Sequence, residues 1–284
     1  MLPDAVASLR CPVCQDPLRR TTSPRAALVC GNGHSFDAAK QGYFNLLTGK
    51  GTPFEADSAD MVAARHAFLA AGHYTAMAAA VAELAAPALA PPDAVVLDAG
   101  TGTGHYLRAV LDRSPAAAIG LDISKFALRR AARLNPDAVN LVWDIWRPLP
   151  IADAAVDVVL VVFAPRNPAE FARVLRPGGS LIVVTPRPGH LAEIAERSGM
   201  LGIEDGKAER LSERMQEHFA HGTTTELDIR LELSGAELAD LAYMGPAGHH
   251  LDRAELARSV QDDGAVTANA KFAITVFNTA KQAS

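Results

Sequence analysis

Every cysteine of this 284-residue chain falls within its first 30 positions, at Cys11, Cys14 and Cys30, and His34 completes the pattern Cys-x2-Cys-x15-Cys-x3-His. A tetrahedral zinc site needs two short turns, each bringing two side chains to one point, and this spacing supplies both. Pro12 sits inside the first pair, and Gly31-Asn32-Gly33 fills the second with residues that accept positive φ. The competing reading is three buried thiols beside an unrelated histidine, but free cysteines have no reason to cluster in this way. The expectation is a metal-nucleated N-terminal module with Zn2+ held by Cys11, Cys14, Cys30 and His34.

The rest of the chain is large enough to bury a core of its own, with 49% hydrophobic and 21% charged residues overall. No apolar run approaches the roughly 20 residues of a membrane span. Residues 76–90 are apolar but are interrupted by Glu83 and Pro87, which reads as a packed helix. The first ten residues contain Asp4 and no long apolar run, so they do not read as a secretory signal. With no cysteine outside the module there is no disulfide framework, and a cytoplasmic location is expected. The net charge of −5 does not suggest a polyanion binder, but its distribution is uneven. Residues 1–50 carry six basic and three acidic side chains, net +3, leaving −8 for the remainder. A basic module on an acidic body suits polyanion contact through the module; the plainer reading is a solvated surface.

The expected division is a zinc-binding module at 1–50, a linker and helical segment at 51–92, and a larger domain at 93–284. Thr48–Pro53 reads as linker. Asp57 or Ser58 can cap a helix over Ala59–Ala71 that ends at Gly72, and a second helix spans about Thr75–Leu89 before Pro91-Pro92. Beyond it, apolar runs at 94–100, 118–124, 139–144, 156–164 and 180–186 alternate with helical patterns such as 125–134 and 168–175. Near-continuous apolar strands separated by helices predict a parallel sheet covered on both faces. Two further strands are expected at 227–233 and 272–277.

The first of these strands runs into Asp98-Ala-Gly100-Thr-Gly102-Thr-Gly104-His105. A dinucleotide fingerprint needs a glycine where His105 stands, so that pattern fails. What remains is an acidic residue ahead of Gly100, Gly102 and Gly104, which would repel a pyrophosphate but suits a cationic ligand. Asp122 ends the second strand, where a carboxylate can take both ribose hydroxyls of an adenosine. Asp144 ends the third, within reach of an adenine amino group. Each aspartate alone reads as an ordinary strand-end or capping residue. Three at successive strand ends beside a glycine loop point to S-adenosylmethionine (SAM). Trp143 and Trp146 flank Asp144 as stacking candidates, with core packing the likelier role for at least one of them.

Phe163-Ala-Pro-Arg166-Asn167-Pro168 follows the fourth strand, on the edge where open α/β sheets bind ligands. Phe163 offers a stacking face and Arg166 a partner for a phosphate or base edge, so Phe163, Arg166 and Asn167 are the substrate-side candidates; a rigid surface corner is the alternative. Arg176-Pro-Gly-Gly179 reads as a structural turn before the fifth strand.

Taken together, these residues resemble the RlmA family of bacterial 23S rRNA (guanine-N1)-methyltransferases, and within it the Gram-positive branch that includes the tylosin-resistance methyltransferase. The resemblance rests on Cys-Pro-x-Cys at 11–14, Gly33-His34-x-Phe36-Asp37 running on to Gly42-Tyr43-x-Asn45-Leu46-Leu47, Asp60-Met-Val-Ala-Ala-Arg65, Gly72-His73-Tyr74, the loop 100–104, Phe163–Pro168, and Thr185-Pro186 with His190-Leu191. It implies a Rossmann-like class I SAM-dependent methyltransferase fold behind the zinc module. It also implies zinc at the four N-terminal ligands and SAM contacts at Tyr74, Gly102, Thr103 and His190. Without the family, Tyr74 and His190 read as exposed helix-end residues. The implied substrate is a guanine in a 23S rRNA hairpin loop, with macrolide resistance as one biological role. A homodimer is admitted and a membrane is not. No residue declares itself the catalytic base; Asp57 is a candidate, with helix capping as its other reading. Residues 200–270 match the family less sharply and are where acceptor choice is expected to be tuned. Two rivals stay open, a methyltransferase for a small molecule or protein and a non-catalytic zinc RNA-binding protein.

Overall fold

The computed structural model describes residues 5–23, 25–49, 51–198, 217–245 and 265–279, together with Met215, Gly248 and Arg258. Three short antiparallel strands, β1 (Arg19–Thr21), β2 (Ala27–Val29) and β3 (Ser35–Asp37), form the body of the N-terminal module. They are too short for any alternation to be read from the sequence. The next strand, β4 (Phe44–Asn45), leaves the module and pairs in parallel with β7 (Val139–Val142), so the module's last residues are an edge of the main sheet.

That sheet has eight strands. Its parallel part comprises β4, β7, β6 (Ala117–Asp122), β5 (Val95–Ala99), β8 (Val156–Val162) and β9 (Leu175–Pro186); β11 (Val266–Asn278) and β10 (Ala220–Leu233) continue it antiparallel beyond β9. Five parallel strands lie where the apolar runs placed them. The two antiparallel strands are far longer than the segments 227–233 and 272–277. The added lengths, 220–226 in β10 and 266–271 in β11, are rich in polar and small residues and each pairs with the apolar half of the other strand, so hydrophobicity does not mark them.

Helices α1 (Ala59–Ala70) and α2 (Thr75–Ala85) precede β5, and α3 (His105–Arg113), α4 (Lys125–Leu134) and α5 (Pro168–Val174) connect the parallel strands. α6 (Ala192–Ser198) follows β9 and α7 (Gly235–Tyr243) joins β10 to the last strand region. Ser58, not Asp57, caps α1: its hydroxyl accepts from the Met61 N–H at 3.2 Å. Gly72, at φ +90°, turns the chain from α1 into α2.

Side chains alternate across the strands. Val96, Ala118, Val158, Leu160 and Ile182 face a core shared with Phe68, Met77 and Val81 of α1 and α2. Val95, Leu97, Ile119, Val159 and Leu181 face the other side, where Val6, Leu9, Leu18, Leu28, Phe44 and Leu46 of the N-terminal region join Phe171 of α5 in one continuous cluster. Each such side chain contributes about 1.5–3 kcal/mol when removed from water. The module therefore covers one face of the sheet, and backbone hydrogen bonds from Arg10 to Pro150 and from Ala152 to Ser8 fasten it there. No single helix among the described residues is long and apolar enough to cross a membrane.

Candidate functional site

The four N-terminal ligands converge. Cys11 Sγ lies 3.6 Å from His34 Nδ1, Cys14 Sγ 3.6 Å from Cys30 Sγ, and Cys30 Sγ 3.3 Å from His34 Nδ1, with all four ligand atoms within 4.8 Å of one another. Zinc–sulfur bonds of about 2.3 Å in a tetrahedron place sulfurs about 3.7 Å apart, so the donor set fits zinc in both chemistry and spacing. The knuckles are built locally. The Gln15 N–H closes on the Cys11 carbonyl at 2.9 Å, with Gln15 at φ +62°, and the Gly33 N–H closes on the Cys30 carbonyl at 3.2 Å, with Gly33 at φ +83°. Cys11 and Cys30 are buried in the cluster that backs the sheet, which ties the metal's position to the larger core.

The second constellation lies at the carboxyl ends of β5, β6, β7 and β8. The chain runs from β5 outward to β7 and then returns to β8 on the other side of β5, which creates the crevice where such sheets hold ligands. The three glycines of the loop have distinct tasks. A Cβ on Gly100 would stand 2.3 Å from Ala164 Cβ, so Gly100 lets β5 and β8 close at their ends. A Cβ on Gly104 would meet the Asn135 amide at 2.5 Å, so Gly104 lets α3 start against α4. Gly102, at φ +54°, has nothing nearer than Arg65 Cδ at 3.8 Å and leaves its backbone open to the crevice. Thr103, beside it, is buried.

Asp122 accepts the Gly102 N–H and the Ser124 N–H, each at 2.8 Å, one on each carboxylate oxygen. Burial raises its pKa; these two donors oppose the shift, Asp57 adds to it and Arg65 opposes it. Asp98 is buried and accepts the Thr101 hydroxyl at 2.8 Å. Burial pushes its pKa up to about 7, against that hydroxyl and aided by the charge of Asp122. Asp144 is also buried. One of its oxygens takes the Thr52 hydroxyl at 2.7 Å and the other the Trp146 N–H at 3.0 Å. Arg147 donates to the Gly51 carbonyl, so the segment around Thr52 is pinned across the end of β7 rather than left free as a linker. Trp143 packs in the core, while Trp146 is half exposed with Phe54 tilted beside it at 6.3 Å.

Tyr74 stands at the start of α2, 2% exposed, edge-on to Phe68 at 5.0 Å and Phe272 at 5.1 Å. Burial raises its phenol pKa. It is a helix-end residue, but not an exposed one. His190 is partly buried, its Nδ1 against the Lys271 backbone and its ring 4.9 Å from Phe272; burial lowers its pKa, opposed by the Lys271 backbone contact. Phe272 thus touches both residues, and Phe163 lies 5.7 Å from it.

Beyond the end of β8, Phe163 is 45% exposed and held at φ +54°, an unusual backbone for a bulky residue. Arg166 is partly buried. Its Nε has no partner among the described residues, and desolvation lowers its pKa. Asn167 instead donates to the Ile145 carbonyl at 3.0 Å, stitching the β7 and β8 loops together. Asp57 is neither a helix cap nor a free carboxylate: it pairs with Arg65, whose other nitrogen donates to the Met244 carbonyl at 2.7 Å. Arg65, the cation facing Gly102, carries no role in the sequence reading. The only local signal is an arginine two helical turns beyond Asp57, and its partners come from positions 57 and 244. Of the stretch 200–270 expected to tune acceptor choice, residues 200–214, 216, 246–247, 249–257 and 259–264 lie outside the described residues.

Comparison with known proteins gives these features a family. The model described as RlmA, N-terminal, a zinc ribbon, matches residues 9–50, and one described as a methyltransferase domain matches residues 96–179. The chain is 48% identical over 276 residues to a protein of Micromonospora griseorubida whose name assigns it 23S rRNA (guanine-N1)-methyltransferase activity, covering 92% of this chain and 93% of that one. It is 46% identical over 265 residues to the 23S rRNA (guanine(748)-N1)-methyltransferase of Streptomyces fradiae, again with 92% and 93% covered. Among solved structures, the complex of a methyltransferase with the Haloferax volcanii Trm112 activator matches at a TM-score of 0.51 and 21% identity over 80% of this chain and 99% of that one, a likeness of fold. The chain belongs to the RlmA family of 23S rRNA (guanine-N1)-methyltransferases.

Proposed function

We propose that this protein methylates N1 of a guanine in 23S rRNA, using SAM as methyl donor and a zinc-stabilised module as part of its RNA-binding surface. The observation that carries this reading is the presence, in one chain, of a Cys3His centre and an open glycine loop, with full-length relatives named for that activity. Bound SAM supplies an electrophilic methyl group on a sulfonium; transfer leaves S-adenosylhomocysteine, and the guanine N1 proton is released.

The residues divide this work. Gly102 offers an unobstructed backbone to the donor, with Thr103 beside it. Asp122 supplies negative charge beside a cationic ligand, joined by Asp98 once it is ionised, and each carboxylate oxygen of Asp122 keeps a second lone pair for ribose hydroxyls. Tyr74, His190 and Phe272 form an aromatic wall, and Arg65, held by Asp57 and the Met244 carbonyl, is the cation nearest Gly102. On the acceptor side, Phe163 is free to stack on the base and Arg166 has an unmet donor for it. Asn167 is anchored through its amide nitrogen to the Ile145 carbonyl, which leaves its side-chain oxygen for the base. Asp57 is committed to Arg65, which argues against it as the base that takes the N1 proton. N1 lies on the Watson–Crick edge, so the target must be unpaired or flipped, and a hairpin loop meets that need.

Primer extension on 23S rRNA from cells with and without the protein tests the reading, because an N1-methylated guanine blocks pairing. A stop next to one guanine, present only with the protein, is the expected result; identical stop patterns would refute it.

A further inference from the structure

Helix α4 has a composition unlike any other part of the molecule. Its ten residues, Lys-Phe-Ala-Leu-Arg-Arg-Ala-Ala-Arg-Leu, carry Lys125, Arg129, Arg130 and Arg133 and no acidic residue, on a chain whose net charge is −5. None of the other six described helices exceeds a net charge of +1. On those helices Arg65, Arg108, Arg113 and Arg173 each have a carboxylate partner, whereas the four cations of α4 have none among the described residues. Lys125, Phe126, Arg129 and Arg133 are exposed, while Ala127, Leu128, Ala131 and Ala132 are buried.

Helix stability accounts only for Arg133, whose place in the last turn suits the macrodipole. Lys125 stands at the helix N-terminus, where the macrodipole disfavours a cation, and Lys125/Arg129 and Arg129/Arg133 are like-charge pairs at i,i+4. Phe126 stays 42% exposed with the Arg129 guanidinium 5.2 Å from its ring centre. An exposed aromatic paired with arginine is a surface on which nucleobases stack. Position is the third argument. The first turn of α4 follows Asp122 and the cap Ser124 at the rim of the crevice, and Ser124 also donates to the Asp57 carbonyl at 2.9 Å. The buried side of α4 packs on Tyr43, with Ala39 and Leu47 beside it, so the helix adjoins the zinc module and its Lys40.

We infer that the outer face of α4, through Lys125, Arg129 and Arg133 with Phe126, is an RNA-backbone contact surface that extends the basic zinc module to the rim of the methyl-transfer crevice. This rests on the rRNA reading above and deepens it by assigning part of the RNA grip to the methyltransferase domain itself.

The test uses the full-length zinc-loaded protein and deproteinised 23S rRNA as probe. Affinity is measured across KCl concentrations for wild type, for the Lys125→Gln/Arg129→Gln/Arg133→Gln variant, and for a charge-keeping Arg129→Lys/Arg133→Lys variant. Each lost phosphate contact should flatten the log–log salt slope by about 0.7–0.9, so the triple variant should lose about two to three units of slope and about tenfold or more in affinity. SAM affinity, read by calorimetry, should stay at the wild-type value, and the charge-keeping variant should keep the wild-type slope. An unchanged slope in a triple variant that still binds SAM would overturn the inference while leaving the rRNA reading in place. So would loss of a dimer without a change in slope, which would assign the face to a second copy of the chain. A wild type that fails to bind 23S rRNA at all would remove the rRNA reading, and this inference with it.

Discussion

The zinc centre and the SAM crevice are assembled in opposite ways. The zinc centre is made by a continuous stretch of 24 residues in which two tight turns place four donor atoms, and its geometry is nearly complete in the pattern Cys-x2-Cys-x15-Cys-x3-His. The crevice gathers Asp57, Arg65, Gly102, Asp122, Asp144, His190 and Met244, side chains and backbone from almost 190 residues of chain that only the sheet brings together. The first site is built by local turns, and the second by the packing of the sheet. Yet the two share a hydrophobic cluster, because Leu9, Leu28, Phe44 and Leu46 cover the sheet face behind Val95 and Leu97. The local site is therefore a structural part of the distributed one.

The largest effect should come from breaking that sharing. Cys11 is buried both in the metal cluster and in the common core, so Cys11→Ser should release zinc and destabilise the whole chain. Structural zinc in small modules is worth about 10–16 kcal/mol of folding free energy, enough to show in a calorimetric scan as a lower, single transition. A main transition at the wild-type temperature, with only a separate small one lost, would show that the module is an independent satellite.

A smaller and sharper test lies within the glycine loop, where neighbouring positions should separate stability from binding. Gly100→Ala forces a methyl group against Ala164 at positive φ and should cost about 2–4 kcal/mol by overpacking and backbone strain. The Cβ of Gly102→Val meets nothing nearer than Arg65 Cδ at 3.8 Å, an ordinary contact, so the variant should lose mainly the strain of its backbone, about 1–2 kcal/mol, while calorimetric SAM binding disappears. The reverse pattern would exchange the roles given to these two glycines.

The smallest effect concerns pH. Asp98 titrates at about 7 in the folded protein against an ordinary value of 3.8, so across that window the folded state holds a proton that the unfolded state has lost. Its contribution is therefore fully present below pH 3.8 and is lost as pH rises through about 7. Melting temperature of the SAM-free protein should fall more steeply between pH 5 and pH 7.5 for wild type than for Asp98→Asn. Parallel curves would mean that Asp98 ionises normally.

These tests also mark how far the sequence could be read. The five parallel strands were legible because strands buried on both faces are apolar throughout, and α4 was legible to its ends because Ser124 caps it and the pattern stops at Asn135. The two-residue β4 and the polar halves of β10 and β11 carry no such mark, since their partners, not their composition, make them strands. In the site, Gly102 and the three aspartates stood out by position at strand ends. The pairing of Arg65 with Asp57, the use of Asp144 by Thr52 and the use of Asn167 by Ile145 depend on contacts between distant segments, and nothing local announces them.

The identity of the methylated atom decides the proposed function most directly. Incubating the purified, zinc-loaded protein with methyl-labelled SAM and deproteinised 23S rRNA, then digesting to nucleosides and identifying the labelled product by mass spectrometry, measures it directly. The account predicts label in N1-methylguanosine at one molar equivalent of RNA or less. Label in another nucleoside, or RNA left unlabelled by a protein that binds SAM, would contradict it.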